Sequence, residues 1–320
     1  MSYDLLVIGD EREGIERAIS AAESGDRVAV IRQSELMPRL NIVRNAANQI
    51  AEQGELSMDS WRDEVTKLSQ WQLLVDDVEF DSLGIEVFNG PAKFVGPKTV
   101  EVPGLEDAEI LSGREIVLAC GTKSRLPAYL QNDEEFVMGV ESLLNLTELP
   151  RSMIVVGGGQ TGLMSAIMLA RLGVEVTVVD EHFTLLELCG VFEPTFDALQ
   201  TLNIAFRLDD EVIGTELRPD LQSAVRLASG KVLVADKVLI CVGREGRTEG
   251  LDLEKFGVGL DERGRVWCDE EGRSWSDGIC AVGDVVGYSG GCRAHSSSAS
   301  HWSSQREPHF GRGSSRMVTK

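Results

Sequence analysis

Residues Met153 to Asp180 read MIVVGGGQTGLMSAIMLARLGVEVTVVD, and no other stretch restricts the fold as strongly. The apolar run Met153 to Val156 predicts a buried parallel strand. Gly157, Gly159 and Gly162 then supply G-x-G-x-x-G. Leu163, Ala166, Ile167 and Ala170 recur at i, i+3, i+4 and i+7, one face of a helix. Gly173 ends that helix, and Val174 to Val179 reads as a second strand closing on Asp180. A glycine motif alone says little. Set between strand and helix, with an acid at the end of the next strand, it predicts a dinucleotide site.

The residue types match that chemistry. Gly157 permits a tight turn, Gly159 lets the backbone approach a diphosphate, and Gly162 lets helix and strand pack closely. Free N–H groups at the helix start meet the negative charge. Asp180 can accept hydrogen bonds from a ribose diol and would repel a 2′-phosphate, so NAD is expected over NADP. The alternative is an ordinary βαβ unit with a glycine-rich turn and no ligand.

The N-terminal segment repeats this unit. Aligning Gly9 with Gly157 sets an offset of 148 (157 minus 9), which also carries Gly14 to Gly162, Ala18 to Ala166, Ala22 to Ala170 and Gly25 to Gly173. Leu5 to Arg32 is therefore expected to form a second dinucleotide fold, with Ile15, Ala18, Ile19 and Ala22 as its helix stripe. The copies differ at two positions: Glu11 stands where Gly159 stands, and Arg32 where Asp180 stands. A carboxylate at the second glycine faces a diphosphate, and like charges about 4 Å apart at an effective dielectric near 20 repel by roughly 4 kcal/mol. Arg32 cannot accept a bond from a ribose hydroxyl, though it could meet a phosphate. The copy reads either as a second nucleotide site or as a retained fold whose site is weakened or lost.

The 320 residues are enough for two domains of ordinary size. A mean hydropathy of -0.06 describes a globular, water-facing protein. The net charge of -21 disfavours nucleic acid and anionic membranes as partners, since both would be repelled. No apolar run approaches membrane-spanning length, and the chain enters its first strand with no basic leader, so a cytoplasmic location is expected. The six cysteines have no metal-ligand spacing, and neither zinc nor a disulfide framework is indicated.

Between the two copies, Gln33 to Val75 reads as mostly helical, and Val78 to Val102 as strands with turns at Asn89-Gly90 and Gly96-Pro97. Glu115 to Thr122 is an apolar strand ending in small residues, and Leu143 to Arg151 is a link. Beyond Asp180, a helix is expected around Phe192 to Leu202 and strands at Val225 to Leu227 and Lys237 to Gly243. Gly278 to Gly287, GICAVGDVVG, aims Asp284 from a strand end at a ligand hydroxyl. From Ser289 the chain is rich in Ser, Arg and Gly without periodicity, and disorder is expected. The tail histidines His295, His301 and His309 make a poor metal site. A basic RNA-binding arm is the less favoured reading of the same tail.

VVGGGQTG with LGVEVTVVD, the LACGT strand end, ICVGREGRTEGLDLEKFGV and ICAVGDVVGY together resemble the FAD-dependent pyridine nucleotide-disulfide oxidoreductases. Within that family the chain is most similar to soluble NAD(P) transhydrogenases, with dihydrolipoamide dehydrogenase as the neighbour. The resemblance implies an α/β fold of two Rossmann-like dinucleotide-binding domains, the NAD domain inserted in the FAD domain. Residues 1–148 and 250–288 would form the FAD-type domain, 149–249 the NAD(P)-binding domain, and 289–320 a disordered tail. Gly157, Gly159, Gln160, Thr161, Gly162, Asp180 and Gly243 would contact NAD(P); Gly9, Gly14, Gly121 and Asp284 would contact FAD. The implied activity is hydride transfer from NAD(P)H through FAD to another pyridine nucleotide. The alternative is an NAD-binding protein that has lost FAD and catalysis, or an inactive truncated product. The family's cysteine-bearing glycine-rich helix start has no counterpart between Gln33 and Asn48. That fits a transhydrogenase better than a disulfide reductase, because flavin alone can carry electrons between nicotinamides. The family also continues past its GD motif into a dimerisation domain that supplies functional groups, so no catalytic base is assigned and most of the dimer interface is absent. Codons chosen for Ser289 to Ala294 and read one base later can spell Pro-Ala-Val-Ala-Glu, similar to the family's continuation, and suggest a frameshifted end.

Overall fold

A computed structural model describes residues 1–33, 57–104, 107–131, 133–182 and 201–288. A seven-stranded sheet carries, in order, Glu86–Asn89, Val28–Arg32, Ser2–Ile8, Glu109–Leu118, Thr99–Val102 and Lys93–Gly96, with Ile279–Ala281 paired to Glu109–Leu118. Leu5 pairs with Val28 and Val7 with Val30 in parallel register. Leu6, Ile8, Ala29 and Ile31 pack on one face, and Leu5, Val7, Val28 and Val30 on the other. Burial on both faces is why these strands read as unbroken apolar runs. The helix Arg12–Glu23 covers the second face with Ile15 and Ala18.

A five-stranded, wholly parallel sheet follows, ordered Ala205–Arg207, Glu175–Val179, Ser152–Val156, Lys237–Ile240 and Val137–Gly139. Met153, Val155, Val176 and Val178 bury one face under the helix Gln160–Arg171. Ile154, Val156, Val179, Val238 and Ile240 bury the other under an antiparallel three-stranded sheet, Val212–Leu217, Ser223–Leu227 and Val232–Ala235. After this sheet the chain rejoins the first: Leu251, Leu253, Val258, Val266 and Val285 lie in one cluster with Leu6 and Ile8. The Phe94 N–H donates to Leu251 O at 3.0 Å.

One expectation is corrected. The helix Met58–Leu83 runs through Val78, where strand was read. Ser57 caps its start by accepting from the Ser60 N–H, and Gly84 closes it in the left-handed conformation at φ 68°. Trp61, Val65, Ser69, Asp76 and Phe80 are all buried along it, a helical spacing that the mixed polarity of Val78 to Leu83 obscured. The expected helical segment from residue 34 to 56, the helix around Phe192 and the tail from Ser289 lie outside the described residues.

Candidate functional site

Both glycine turns sit where a central strand delivers the chain to a helix, at the carboxyl edge of its sheet. Gly157 has φ +103°, and a Cβ there would stand 2.4 Å from Cys241 O. A Cβ on Gly162 would stand 1.9 Å from Gly157 O. These two glycines are required by the protein's own backbone. Gly159 is not: its φ is -65°, and a Cβ there would meet no described atom within 4 Å. No described atom takes up the room beside it. Gly159 also caps the helix Gln160–Arg171 with no side-chain bond, which leaves the first-turn N–H groups for an anion.

A cavity of about 450 Å³ opens on this turn, lined by Gly157, Gly159, Gln160, Thr161, Asp180 and Gly243 among others. Six of the seven residues read from the sequence for NAD(P) are thus brought together, and Gly162 lies behind them as the packing glycine. Asp180 is 8% exposed. Its Oδ2 accepts the Gly158 N–H at 2.5 Å, and its Oδ1 accepts the His182 N–H at 2.8 Å. The acid therefore ties the glycine loop to the next strand end. These residues fit a pyridine dinucleotide: open room at Gly159, first-turn helix N–H groups with no partner among the described residues, and a carboxylate at the end of the next strand.

Among the lining residues that the sequence reading did not assign are Arg125, Tyr129 and His182. Arg125 and Tyr129 reach the cavity from another part of the chain, where the Arg125 N–H donates to Gly243 O at 3.0 Å. His182 places its Nδ1 2.6 Å from Asp180 Oδ1. Only His182 carried a local signal, two residues from the predicted acid.

The first turn repeats the backbone and not the room. Gly9 has φ +106°, a Cβ on it would stand 2.1 Å from Ala119 O, and one on Gly14 would stand 2.3 Å from the Ala119 Cβ. Glu11 takes Gly159's place with φ -61°. Its Oε1 lies 2.2 Å from where a Cβ on Gly121 would be, and its own Cβ lies 3.7 Å from one on Gly283. Gly9, Gly14, Gly121 and the Gly283-Asp284 turn are thus gathered as read from the sequence, with a carboxylate among them. Glu13 Oε2 adds a second acid 3.2 Å from the Gly283 Cβ position. Arg32 turns inward, with Nη1 2.8 Å from Asp77 Oδ1 and its guanidinium carbon 5.6 Å from the Phe80 ring centre. It offers no acceptor to a ribose. These residues do not fit the diphosphate of FAD.

Between the two sheets, short strands Thr122–Ser124 and Arg244–Gly246 pair antiparallel. Arg244 donates from Nε to Thr122 Oγ1 at 2.7 Å and from Nη2 to Glu141 Oε1 at 3.2 Å. The Ser124 N–H donates to the same Glu141 oxygen at 3.0 Å. Burial works to raise the Glu141 pKa, but these donors and the Arg244 charge outweigh it and hold the carboxyl below its usual range. Among the described residues, no group of three or more His, Cys, Asp or Glu could hold a metal ion.

Two Rossmann-type folds, one interrupted by the other, define a class of dinucleotide-dependent proteins. The model of the family described as pyridine nucleotide-disulphide oxidoreductase matches residues 3–305, and the chain belongs to that family. The flavoproteins of this family use FAD and NAD(P)H. The chain is 32% identical over 312 residues to a soluble pyridine nucleotide transhydrogenase of Mycobacterium bovis, covering 89% of this chain and 66% of that one. It is also 32% identical over 211 residues to a mitochondrial dihydrolipoyl dehydrogenase of Arabidopsis thaliana, covering 62% of this chain and 40% of the relative. Among solved structures, a Cu(II)-bound mutant of the HOCl-induced flavoprotein disulfide reductase of Escherichia coli superposes with a TM-score of 0.76 at 25% identity, covering 89% of this chain and 66% of that one. The chain thus spans just under two thirds of the transhydrogenase's length.

Proposed function

We propose that this chain is by descent a pyridine nucleotide oxidoreductase of the soluble transhydrogenase type, and that its second glycine turn binds NAD(H). Apart from Arg125, the residues proposed to hold the nucleotide lie within 149–249, inserted between the parts of the FAD-type domain at 1–148 and 250–288. Gly157 and Gly162 would shape the turn, and the N–H groups after Gly159 would face the diphosphate. Asp180 would accept from the adenosine ribose. Arg125, across the cavity, would add positive charge toward the phosphates. The bound nucleotide supplies a transferable hydride. The observation that carries this reading is the open room at Gly159 beside the Asp180 carboxylate. A cytoplasmic location accompanies it; among the described residues no helix is long and apolar enough to cross a membrane.

Transhydrogenation by this lineage needs flavin, and Glu11 favours a second reading: an NAD(H)-binding protein without flavin chemistry. Two measurements separate them. Calorimetry with NAD⁺ tests the site, and NADH-dependent reduction of a second pyridine nucleotide, with FAD supplied, tests the activity. Binding with transfer supports the first reading, and binding without transfer the second. Absence of binding overturns both.

A further inference from the structure

We infer that His182 is a proton-controlled competitor for Asp180, and that it makes the preference for NAD over NADP depend on pH. This rests on the nucleotide reading of the Gly157–Asp180 site. The Asp180 carboxylate is already heavily used. Oδ2 accepts from Gly158, while Oδ1 accepts from the His182 N–H and faces the His182 ring nitrogen at 2.6 Å. A carboxylate oxygen offers about two lone-pair positions. With a proton on Nδ1, both positions of Oδ1 are filled, and only Oδ2 has one left. A ribose diol seeks an acceptor for each of two hydroxyls, so full engagement of the ribose requires the imidazole to let go.

The ring is placed to do so. Its side chain is 53% exposed, whereas Asp180 is buried and held by the Gly158 N–H. Its grip depends on protonation. The neutral ring has one N–H and two tautomers, whereas imidazolium always presents Nδ1–H and adds a charge-assisted bond. Imidazole titrates in the range where cells and buffers operate. At low pH the imidazolium holds Asp180 against the ribose of NAD and cancels the charge that repels a 2′-phosphate. It also sets a positive group where that phosphate arrives.

The surrounding field bears on the same equilibrium. Glu181, Asp210 and Glu211 line the cavity with His182. Asp209 donates its N–H to His182 O at 3.2 Å. These acids favour imidazolium. Arg207, at the end of the neighbouring strand, and Arg125, across the cavity, oppose it.

The test measures dissociation constants of NAD⁺ and NADP⁺ by calorimetry from about pH 5.5 to 8.5, for wild type and His182→Gln. The 2′-phosphate itself takes up a proton near pH 6, so the readout is the wild-type profile relative to the variant. One unit of charge a few ångströms from the phosphate at a half-exposed site corresponds to about a tenfold effect. The wild-type preference for NAD⁺ should therefore narrow by about tenfold more than the variant's between the two ends of the range. By linkage, NAD⁺ should lower the His182 pKa and NADP⁺ should raise it, which NMR titration of the imidazole can follow. Superimposable profiles in the two proteins, with NAD⁺ bound normally, would overturn the role of His182 alone. Failure of wild type to bind either nucleotide would overturn the site reading as well.

Discussion

The carboxylate of Glu11 lies against Gly121, its Oε1 2.2 Å from the position a Cβ on that glycine would occupy. The glycine's vacant side thus holds an acidic side chain of the chain itself, at the point where the resemblance calls for a phosphate. A ligand held through diphosphate–amide bonds loses several powers of ten in affinity when several kcal/mol are removed there. The freshly purified protein is expected to carry little or no flavin, read as absorbance in the flavin band. Glu11→Gly combined with Arg32→Glu is expected to restore flavin uptake. A yellow wild type with near-stoichiometric flavin would refute this and restore the flavin-dependent reading.

The reciprocal substitution is expected at the other turn. Gly159→Glu keeps an ordinary φ and meets no described atom within 4 Å at its Cβ, so thermal stability should change little. NAD⁺ binding should fall at least a hundredfold, roughly 3 kcal/mol, through the same repulsion calculated for Glu11. Gly162→Ala should instead unfold the turn, because its Cβ would stand 1.9 Å from Gly157 O. Circular dichroism melts beside calorimetry distinguish the two outcomes. Equal loss of stability in both variants would show that Gly159 has a structural role.

Nucleotide choice should depend on Asp180. The wild type is expected to bind NADH more tightly than NADPH near neutral pH, and Asp180→Ala to weaken NADH and narrow the gap. The removed hydrogen bond to a charged acceptor is worth about 1.5–3 kcal/mol, so a ten- to hundredfold change is expected. Tighter NADPH binding by the wild type at pH 8 would contradict the role assigned to the acid.

The Glu141–Arg244 bond should show in the pH dependence of stability. The folded pKa of Glu141 is depressed below its ordinary 4.5. Its contribution is therefore present above that value and lost as pH falls through the folded pKa. Glu141→Gln is expected to lower the melting temperature at pH 7, with a cost of about 1–3 kcal/mol for a mostly buried charged bond. The gap should narrow as the pH is lowered from 4.5 through the folded pKa. A gap that does not narrow on acidification would mean the loss comes from packing.

The thiols should be inert. Burial pushes Cys120, Cys241 and Cys280 up to about 12 and Cys268 to about 11. Iodoacetamide at pH 8 should leave these four unlabelled in the native protein, as peptide mapping can check. Rapid labelling of Cys120 or Cys241 would mean that the strand end carrying it opens locally.

Much of this architecture was legible in the amino-acid order. The offset linking Gly9 to Gly157 and Gly14 to Gly162 marks two like turns because their geometry tolerates little but glycine. The two-faced burial of Leu5 to Ile8 and Met153 to Val156 leaves an apolar run that any reader can see. The segment from Val78 to Leu83 was misread because Phe80, the buried residue there, is flanked by acids that hide the helical period. Pairings between distant residues were settled only by the tertiary structure. The sequence showed that Glu11 replaced a glycine; folding laid its carboxylate on Gly121, about a hundred residues later. Arg32 was legible as a lost acceptor, but its turn toward Asp77 depended on where the helix Met58–Leu83 packs. Asp180 was legible as the acid closing the strand after the glycine turn, whereas the approach of Arg125 and the ring of His182 resting on Asp180 were not. Periodicity and spacing report the demands of one segment's backbone and burial. Which side chains share a site depends on how sheets and loops meet, and no single segment encodes that.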